Sequence, residues 1–520
     1  MRKELMRLIE IDGELGLLGH IGALLSWDQE TFMPIGAVDE RSEQIALIES
    51  IAHDRAVSPE IGDLLAALGS TSASPSGSPS DDSLLDDMER AYLRVARRQY
   101  DRDTKLPADL VAELAREASL AQAAWIEARA KNDFPAFAPY LERIVELKKR
   151  QAACLTQGGQ GARAARYDAL LDLFEPGSTE ASIAEVFGKL RGDLVALLDR
   201  IASKPPADDS FLRRPCPVSR QAAISGWLMD VMGYERGRGR LDTVAHPFTT
   251  TLGVDDVRIT TRFIEDSFVS SLFSTVHETG HALYELGIAP GPAFKRTKLH
   301  DAASMAVHES QSRMWENMIG RSAAFWKGMY PRLVELASGG DARGPLEGIG
   351  LDSFLRAINK VEPSPIRTEA DEVTYSLHII LRFELESDLI SGRLAVNDLP
   401  EAWNAKMKEL LGLSVPDDAR GCLQDVHWSA GLFGYFPSYA LGNLYAAQFW
   451  SAMKRDMPDL DERIESGDLG SVLGWLRAKI HRHGSSLLPT ELVYRVTGST
   501  LDPKHFVAYL DEKYSRIYAL

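Results

Sequence analysis

The stretch TVHETGHALYELG, Thr275–Gly287, places two histidines four residues apart with a glutamate directly after the first. Read as part of a helix from about Asp266 to Leu286, closed by Gly287 as its C′ residue, it buries Val269, Leu272, Val276 and Leu283 along one stripe. His277 and His281 then stand one turn apart on the edge of that stripe. The i, i+4 spacing lets both imidazoles address one ion from a rigid element, while Glu278, about 100° further round, reaches a water bound to that ion. The plainer reading is a helix with two ordinary histidines and a charged neighbour. A third ligand would separate the two readings, because a catalytic zinc takes three protein ligands and keeps one position for water.

Such a ligand is on offer downstream. In LHDAASMAVHESQSRMWENMIGR, Leu299–Arg321, helical spacing puts Glu309 on one face with Ala302, Met305 and Ala306, which belong in a core. An ionised carboxylate buried there needs a metal, an arginine or a proton. His308 competes for the same role, and spacing leaves the choice open.

The surroundings of these two segments are helical as well. Asp86–Tyr100, Ala108–Lys131, Pro139–Cys154 and Ser182–Ile201 mix apolar residues three and four apart with charged faces, which predicts a mostly α-helical protein. Strand signals concentrate in AHPFTTTLGVDDVRITTRF, Ala245–Phe263, where β-branched residues flank a turn at Gly253–Asp256 and predict a small β-ribbon just before the HETGH helix. The run GSTSASPSGSPSDDS, Gly69–Ser83, lacks apolar anchors and reads as an exposed, mobile loop. With no internal repeat and no compositional break, the 520 residues read as one unit.

Composition excludes several function classes. A formal net charge of −17 opposes binding to phosphate backbones, and no local run of Lys and Arg offsets it, so nucleic acid is not an expected partner. No segment approaches the ~20 apolar residues that cross a bilayer. The apolar run Leu15–Leu25 is broken by His20 and preceded by Glu4, Glu10, Asp12 and Glu14, unlike a signal peptide. Cys154, Cys216 and Cys422 show no metal or disulfide spacing, which fits a reducing cytoplasm.

Two further segments carry polar residues in core-like surroundings. IRTEADEVTYSLHIILRFELE, Ile366–Glu386, opens with Thr368 as an N-cap and sets Asp371, Tyr375, His378 and Arg382 on one face, while Val373, Leu377 and Ile380 bury the other. That pattern predicts a buried polar network lining a cleft. Arg367, following Pro363 and Pro365, sits where a guanidinium could hold a carboxylate in a bidentate fork. GLFGYFPSYALG, Gly431–Gly442, presents Tyr435 and Tyr439 between glycines after GCLQDVHW, Gly421–Trp428, and a phenol from such a loop could donate to an oxyanion.

Taken in order, WDQETFMP (Trp27–Pro34), HPF (His246–Phe248), DxRxT (Asp256–Thr260), HETGH, HESQ (His308–Gln311), IRTEADEVTY, GCLQDVHW and GYFPSYALG resemble the thermostable (Taq-type) metallocarboxypeptidase family over essentially the whole chain, the Ser/Pro-rich run excepted. The resemblance implies a large helical, zincin-like unit with a deep cleft, its first 210 or so residues forming one wall and about 211–520 carrying the metal site. It implies a homodimer that removes C-terminal amino acids from peptides with broad specificity. It also implies one divalent metal per subunit, zinc or in some members cobalt. Carried over by motif, His277, His281 and Glu309 are the metal ligands, Glu278 the general base and Tyr435 the oxyanion donor. Arg367, His246, Arg258, His308, Tyr375, His378 and Tyr439 line the substrate. An oligo-endopeptidase and an inactive, metal-braced peptide-binding protein are the competing functions, and the second would have no use for Glu278.

Overall fold

The computed structural model describes residues 2–69, 85–156, 164–339 and 344–520, and the expected Gly69–Ser83 loop lies, Gly69 apart, outside them. Helices dominate the described residues, with one small sheet between Leu241 and Thr261. The periodic segments appear as helices Asp87–Thr104, Ala108–Lys131, Phe134–Leu155 and Glu180–Ala202. The first begins in a capping box: the Asp86 carboxylate accepts from the Glu89 amide at 2.8 Å, and the Glu89 carboxylate accepts from the Asp86 amide at 2.9 Å.

Buried apolar side chains form two clusters. The larger draws on residues from Ala121 to Tyr518 and surrounds the HETGH segment; the smaller joins the helices Arg2–Thr31, Pro59–Ala67 and Asp87–Thr104 to Phe294 and Leu299. Asp12, on the first helix, fastens the Phe294–Leu299 stretch to the smaller cluster by accepting from the Lys298 amide at 2.9 Å.

The ribbon expected in Ala245–Phe263 is a three-stranded sheet. β1 (Leu241–Thr243) runs parallel to β3 (Asp256–Thr261), and β2 (Thr249–Gly253) pairs antiparallel on the other side of β3. The turn between β2 and β3 falls at the expected Gly253–Asp256. β1 escaped the sequence reading because three residues are too few to show alternation.

The HETGH helix spans Phe268–Glu285, with Leu272, Val276 and Leu283 buried and Val269 half-buried. Gly287 occupies the expected C′ position without the left-handed backbone of such caps. A side chain there would lie 2.6 Å from the His481 ring, so close packing is what calls for glycine. The following helix, Met305–Arg313, is capped by Ser304 and continues as a π-helical turn over Met314–Ile319. Ala302 precedes it and Met305, its first residue, is exposed, so of the predicted face only Ala306 and Glu309 are buried.

The helix read as starting at Thr368 starts at Tyr375 instead. Pro363 and Pro365 hold the preceding chain extended. Asp371 organises the turn just before it, its carboxylate accepting from the amides of Val373 at 2.9 Å and Thr374 at 3.0 Å, while the N-cap itself, Thr374, makes no side-chain cap bond. The expectation that no basic cluster offsets the acidic charge also needs correcting. A groove of about 880 Å³ beside helix Asp87–Thr104 gathers five arginines and Lys105, interleaved with Asp101, Asp168 and Asp172. Asp101 and Asp172 pair with Arg97 and Arg98, and Asp168 accepts from the Glu180 amide, which spoils the groove as a track for phosphates. Among the described residues no helix is long and apolar enough to cross a membrane.

Candidate metal centre

His277 and His281 project from the HETGH helix toward Glu309 on the next one, and the close approach of three helices makes this meeting possible. A Cβ on Gly280 would come within 2.8 Å of the Ser312 backbone, and one on Gly442 within 2.7 Å of the Glu309 side chain. Glycine at both positions lets the Glu309 helix nest between the HETGH helix and helix Pro437–Asp456.

One ligand atom from each of His277, His281 and Glu309 lies within 4.8 Å of the others. Glu309 Oε2 is 3.4 Å from His281 Nε2 and 3.7 Å from His277 Nε2. Ligand atoms on one tetrahedral zinc at ~2.0–2.1 Å stand ~3.4 Å apart, so the group fits a divalent ion without rearrangement. The electrostatics prepare the donors. Burial and the neighbouring His308 push His281 down to about 3, leaving its lone pair free. Glu309 is well below the usual carboxylate range, because Arg313 and His277 overcome the opposing effect of burial.

The ligands are themselves held. Arg313 Nε donates to Glu309 Oε1 at 2.7 Å, which leaves Oε2 for the ion. His277 Nδ1 bonds Glu316 Oε2 at 2.9 Å, and Glu316 also pairs with Arg321 at 3.1 Å. This carboxylate–histidine pair orients the ring and raises its basicity. Glu316 lies in the π-helical turn, whose wider winding brings it beneath His277. Glu316→Gln should weaken metal binding ~10–100-fold, checked by competition against a fluorescent chelator.

Glu278 lines the same cavity of about 430 Å³ as His277, Arg313 and Glu316. It is not among the three grouped ligands, and its carboxylate accepts from the Thr249 hydroxyl at 2.6 Å. Burial raises its pKa, with His277 and Thr249 opposing. His308 faces elsewhere: its Nε2 pairs with Glu285 at 2.9 Å, and its ring stacks on His281 at 4.3 Å.

A second cluster adjoins the centre. Asp425 is gripped by two arginines, Arg367 through Oδ1 at 2.8 and 3.0 Å and Arg382 through Oδ2 at 2.5 and 2.7 Å. Two buried guanidinium charges thus face one carboxylate. Arg367 also donates to the Tyr375 hydroxyl at 3.2 Å, and the Arg313 guanidinium lies 4.4 Å over the Tyr375 ring, linking this cluster to Glu309. Tyr439 bonds His427 Nε2 at 3.2 Å and packs against Tyr435, 5.2 Å between ring centres. Burial, then the nearby Glu309 charge, pushes Tyr435 up to about 12, so it stays a donor at neutral pH. Burial holds His378 at about 3 and His427 at about 4, both neutral.

Asp425, Glu316, Arg313 and Thr249 were not singled out in the sequence. Glu316 carried a signal, its i+7 spacing from Glu309, and Asp425 lies inside GCLQDVHW. Two expected substrate residues sit apart. Arg258 pairs with Asp256 and stacks 4.4 Å over Trp27 of the WDQETFMP run, and His246 is exposed in the β1–β2 connection.

A family model for carboxypeptidase Taq (M32) metallopeptidases matches residues 7–514. The chain is 43% identical over 518 residues to thermostable carboxypeptidase 1 of Thermus thermophilus, covering 98% of each. To carboxypeptidase 1 of Bacillus subtilis it is 39% identical, over 96% of this chain and 95% of that one. Its fold superposes on the crystal structure of an M32 carboxypeptidase from Deinococcus radiodurans with a TM-score of 0.92 at 38% identity, across the whole of both chains.

Proposed function

The chain belongs to the carboxypeptidase Taq (M32) metallopeptidase family and is a metal-dependent carboxypeptidase; from that premise we propose that its divalent ion is zinc, with cobalt able to replace it, held by His277, His281 and Glu309. Two imidazoles and a carboxylate suit such borderline ions. A bound ion of this kind polarises the scissile carbonyl and brings the pKa of water near neutrality. Glu278 takes the proton of the attacking water and returns it to the leaving amine. Tyr435 donates to the carbonyl oxygen as it gains charge. The observation that carries this reading is a buried glutamate, adjacent in sequence to a metal-ligand histidine, that lies outside the ligand group.

Exopeptidase specificity requires a cation for the substrate's free carboxylate. Arg367 fits that role because its cluster holds two arginines against Asp425, and an incoming carboxylate would balance the second charge. Tyr375 and Tyr439 line the same end, with His378 behind them. The family resemblance sets His246 and Arg258 at that same end and His308 along the substrate, and it alone supports these three, since Arg258 is engaged by Asp256 and Trp27 and His308 by Glu285.

The chain works as one peptidase unit in the cytoplasm, its first 210 or so residues forming one cleft wall. Three unpaired cysteines agree with that compartment. It acts as a homodimer on peptides of broad sequence. An exposed apolar strip on the first two helices, including Leu17, Ile21, Leu47 and Ile51, supports self-association. Sedimentation at twice the chain mass checks it, and Leu47→Asp with Ile51→Asp should return the monomer.

One digestion tests the activity: a peptide in free-acid and C-amidated forms, with metal-loaded and chelator-treated enzyme, read by mass. Stepwise C-terminal loss from the free acid alone, abolished by chelation, is the expected result. Internal cuts in both forms would indicate an oligo-endopeptidase, and no cleavage by loaded protein a binding role. In the same assay Arg367→Ala should lower kcat/KM by ~2–5 kcal/mol, as expected for a buried charge pair. An unchanged preference for free C-termini would clear Arg367 of that role.

A further inference from the structure

The Glu278 carboxylate is held from the sheet. The Thr249 hydroxyl donates to Oε2 at 2.6 Å and also lies 3.0 Å from the Glu278 carbonyl. A bond this short to a carboxylate is charge-assisted and geometrically demanding. Thr249 opens β2, and its β-branched side chain has little freedom to turn away.

Its backbone is also locked. Thr260, fully buried on β3, accepts through its hydroxyl from the Phe248 amide at 2.8 Å, while its own hydroxyl and amide both reach the Phe248 carbonyl at 2.9 Å. The next residue, Thr261, bonds Ser274 on the HETGH helix at 2.6 Å. β3 is thereby tied both to the start of β2 and to the helix that carries Glu278. On the same face of β2 as Thr249, Thr251 reaches Glu285 at 3.2 Å, and Glu285 pairs with His308, which stacks on His281. The HPF and DxRxT runs thus end, through Phe248 and Thr260, in the frame around the base.

We propose that Thr249 is a positioning residue for Glu278, and that the Phe248–Thr260 lock is what fixes it. The proposal rests on the reading of Glu278 as general base. With Oε2 engaged by the threonine, the carboxylate is kept from swinging onto the ion as a fourth ligand, and Oε1 is left for proton transfer. Neighbours of the expected substrate residues His246 and Arg258 thus hold the reacting group at its working angle.

Thr249→Val, which keeps the shape and removes the hydroxyl, should lower kcat about 10–100-fold, as lost supporting hydrogen bonds at such centres do. KM should stay within about twofold, since the contact is made to the base and not to substrate. Metal content should match the parent, and Thr249→Ser, which restores the donor, should recover most of kcat. Thr250→Val, on the opposite face of the strand, controls for disturbance of β2. Added to Glu278→Gln, Thr249→Val should cost little more, because the two act as one unit. A parental kcat in Thr249→Val, a loss that tracks loss of metal, no recovery by serine, or a full multiplicative loss in the double variant would overturn the proposal. A parental rate in Glu278→Gln alone would overturn the base reading itself, so the two failures are distinguishable.

Discussion

Glu278→Gln lowers kcat by ~10²–10⁴-fold, the range that a positioned general base contributes, while the protein keeps its metal at the parental level. The amide has nearly the volume of the carboxylate and its carbonyl oxygen can still accept from Thr249, so the cavity, fold and ligand group persist. What disappears is a group that can accept the water's proton and hand it to the leaving nitrogen. Single-turnover kinetics beside metal analysis checks this, and a near-parental rate with full metal would sink the mechanism. The rate in the parent should fall toward acid pH as the base becomes protonated, burial raising the Glu278 pKa and the charge of a bound ion opposing that rise.

Glu309→Ala should lower metal affinity by more than the ~10–100-fold typical of an outer-shell partner, since it removes one of three protein ligands. The loss has a second source. Arg313 now spends a buried hydrogen bond on Glu309, and deleting the carboxylate strands part of that charge. Glu309→Gln separates the effects, because it preserves an acceptor for Arg313 while weakening the ligand. Chelator-treated parent should be inactive and regain activity on addition of zinc or cobalt. Metal content after dialysis, measured with melting temperature, is the readout, since an ion that binds only the folded chain also raises its stability. Full metal in Glu309→Ala would assign the third position to another residue.

Much of this centre was legible because it rests on short-range periodicity. The i, i+4 spacing of His277 and His281 is a property of any helix, and the helix itself follows from the apolar stripe beneath it. The polar character of the Tyr375–Arg382 face showed for the same reason. Legibility ended where tertiary contact decides. No spacing rule brings Asp425, which comes from a separate segment, between Arg367 and Arg382; the three meet only after packing. Thr249 looked like one β-branched residue among three, and only the sheet's position against the HETGH helix distinguishes it from Thr250. Gly287 was placed correctly but for the wrong reason: the sequence suggested a left-handed cap, whereas the His481 ring excludes a side chain there. Thr368 falls instead inside a short 3-10 turn, Arg367–Glu369, and the α-helix opens only after the further turn that Asp371 organises.

The π-helical turn at Met314–Ile319 makes the centre sensitive to chain length. Such a turn spends one residue more than an α-helix on about the same rotation, so the extra residue bulges outward while the chain on either side keeps its phase. Excising a single residue within it would restore ordinary winding and leave the helix beyond it facing as before, yet remove the bulge that carries Glu316 beneath His277. A shortened chain would thus keep the fold and lose the support of one metal ligand.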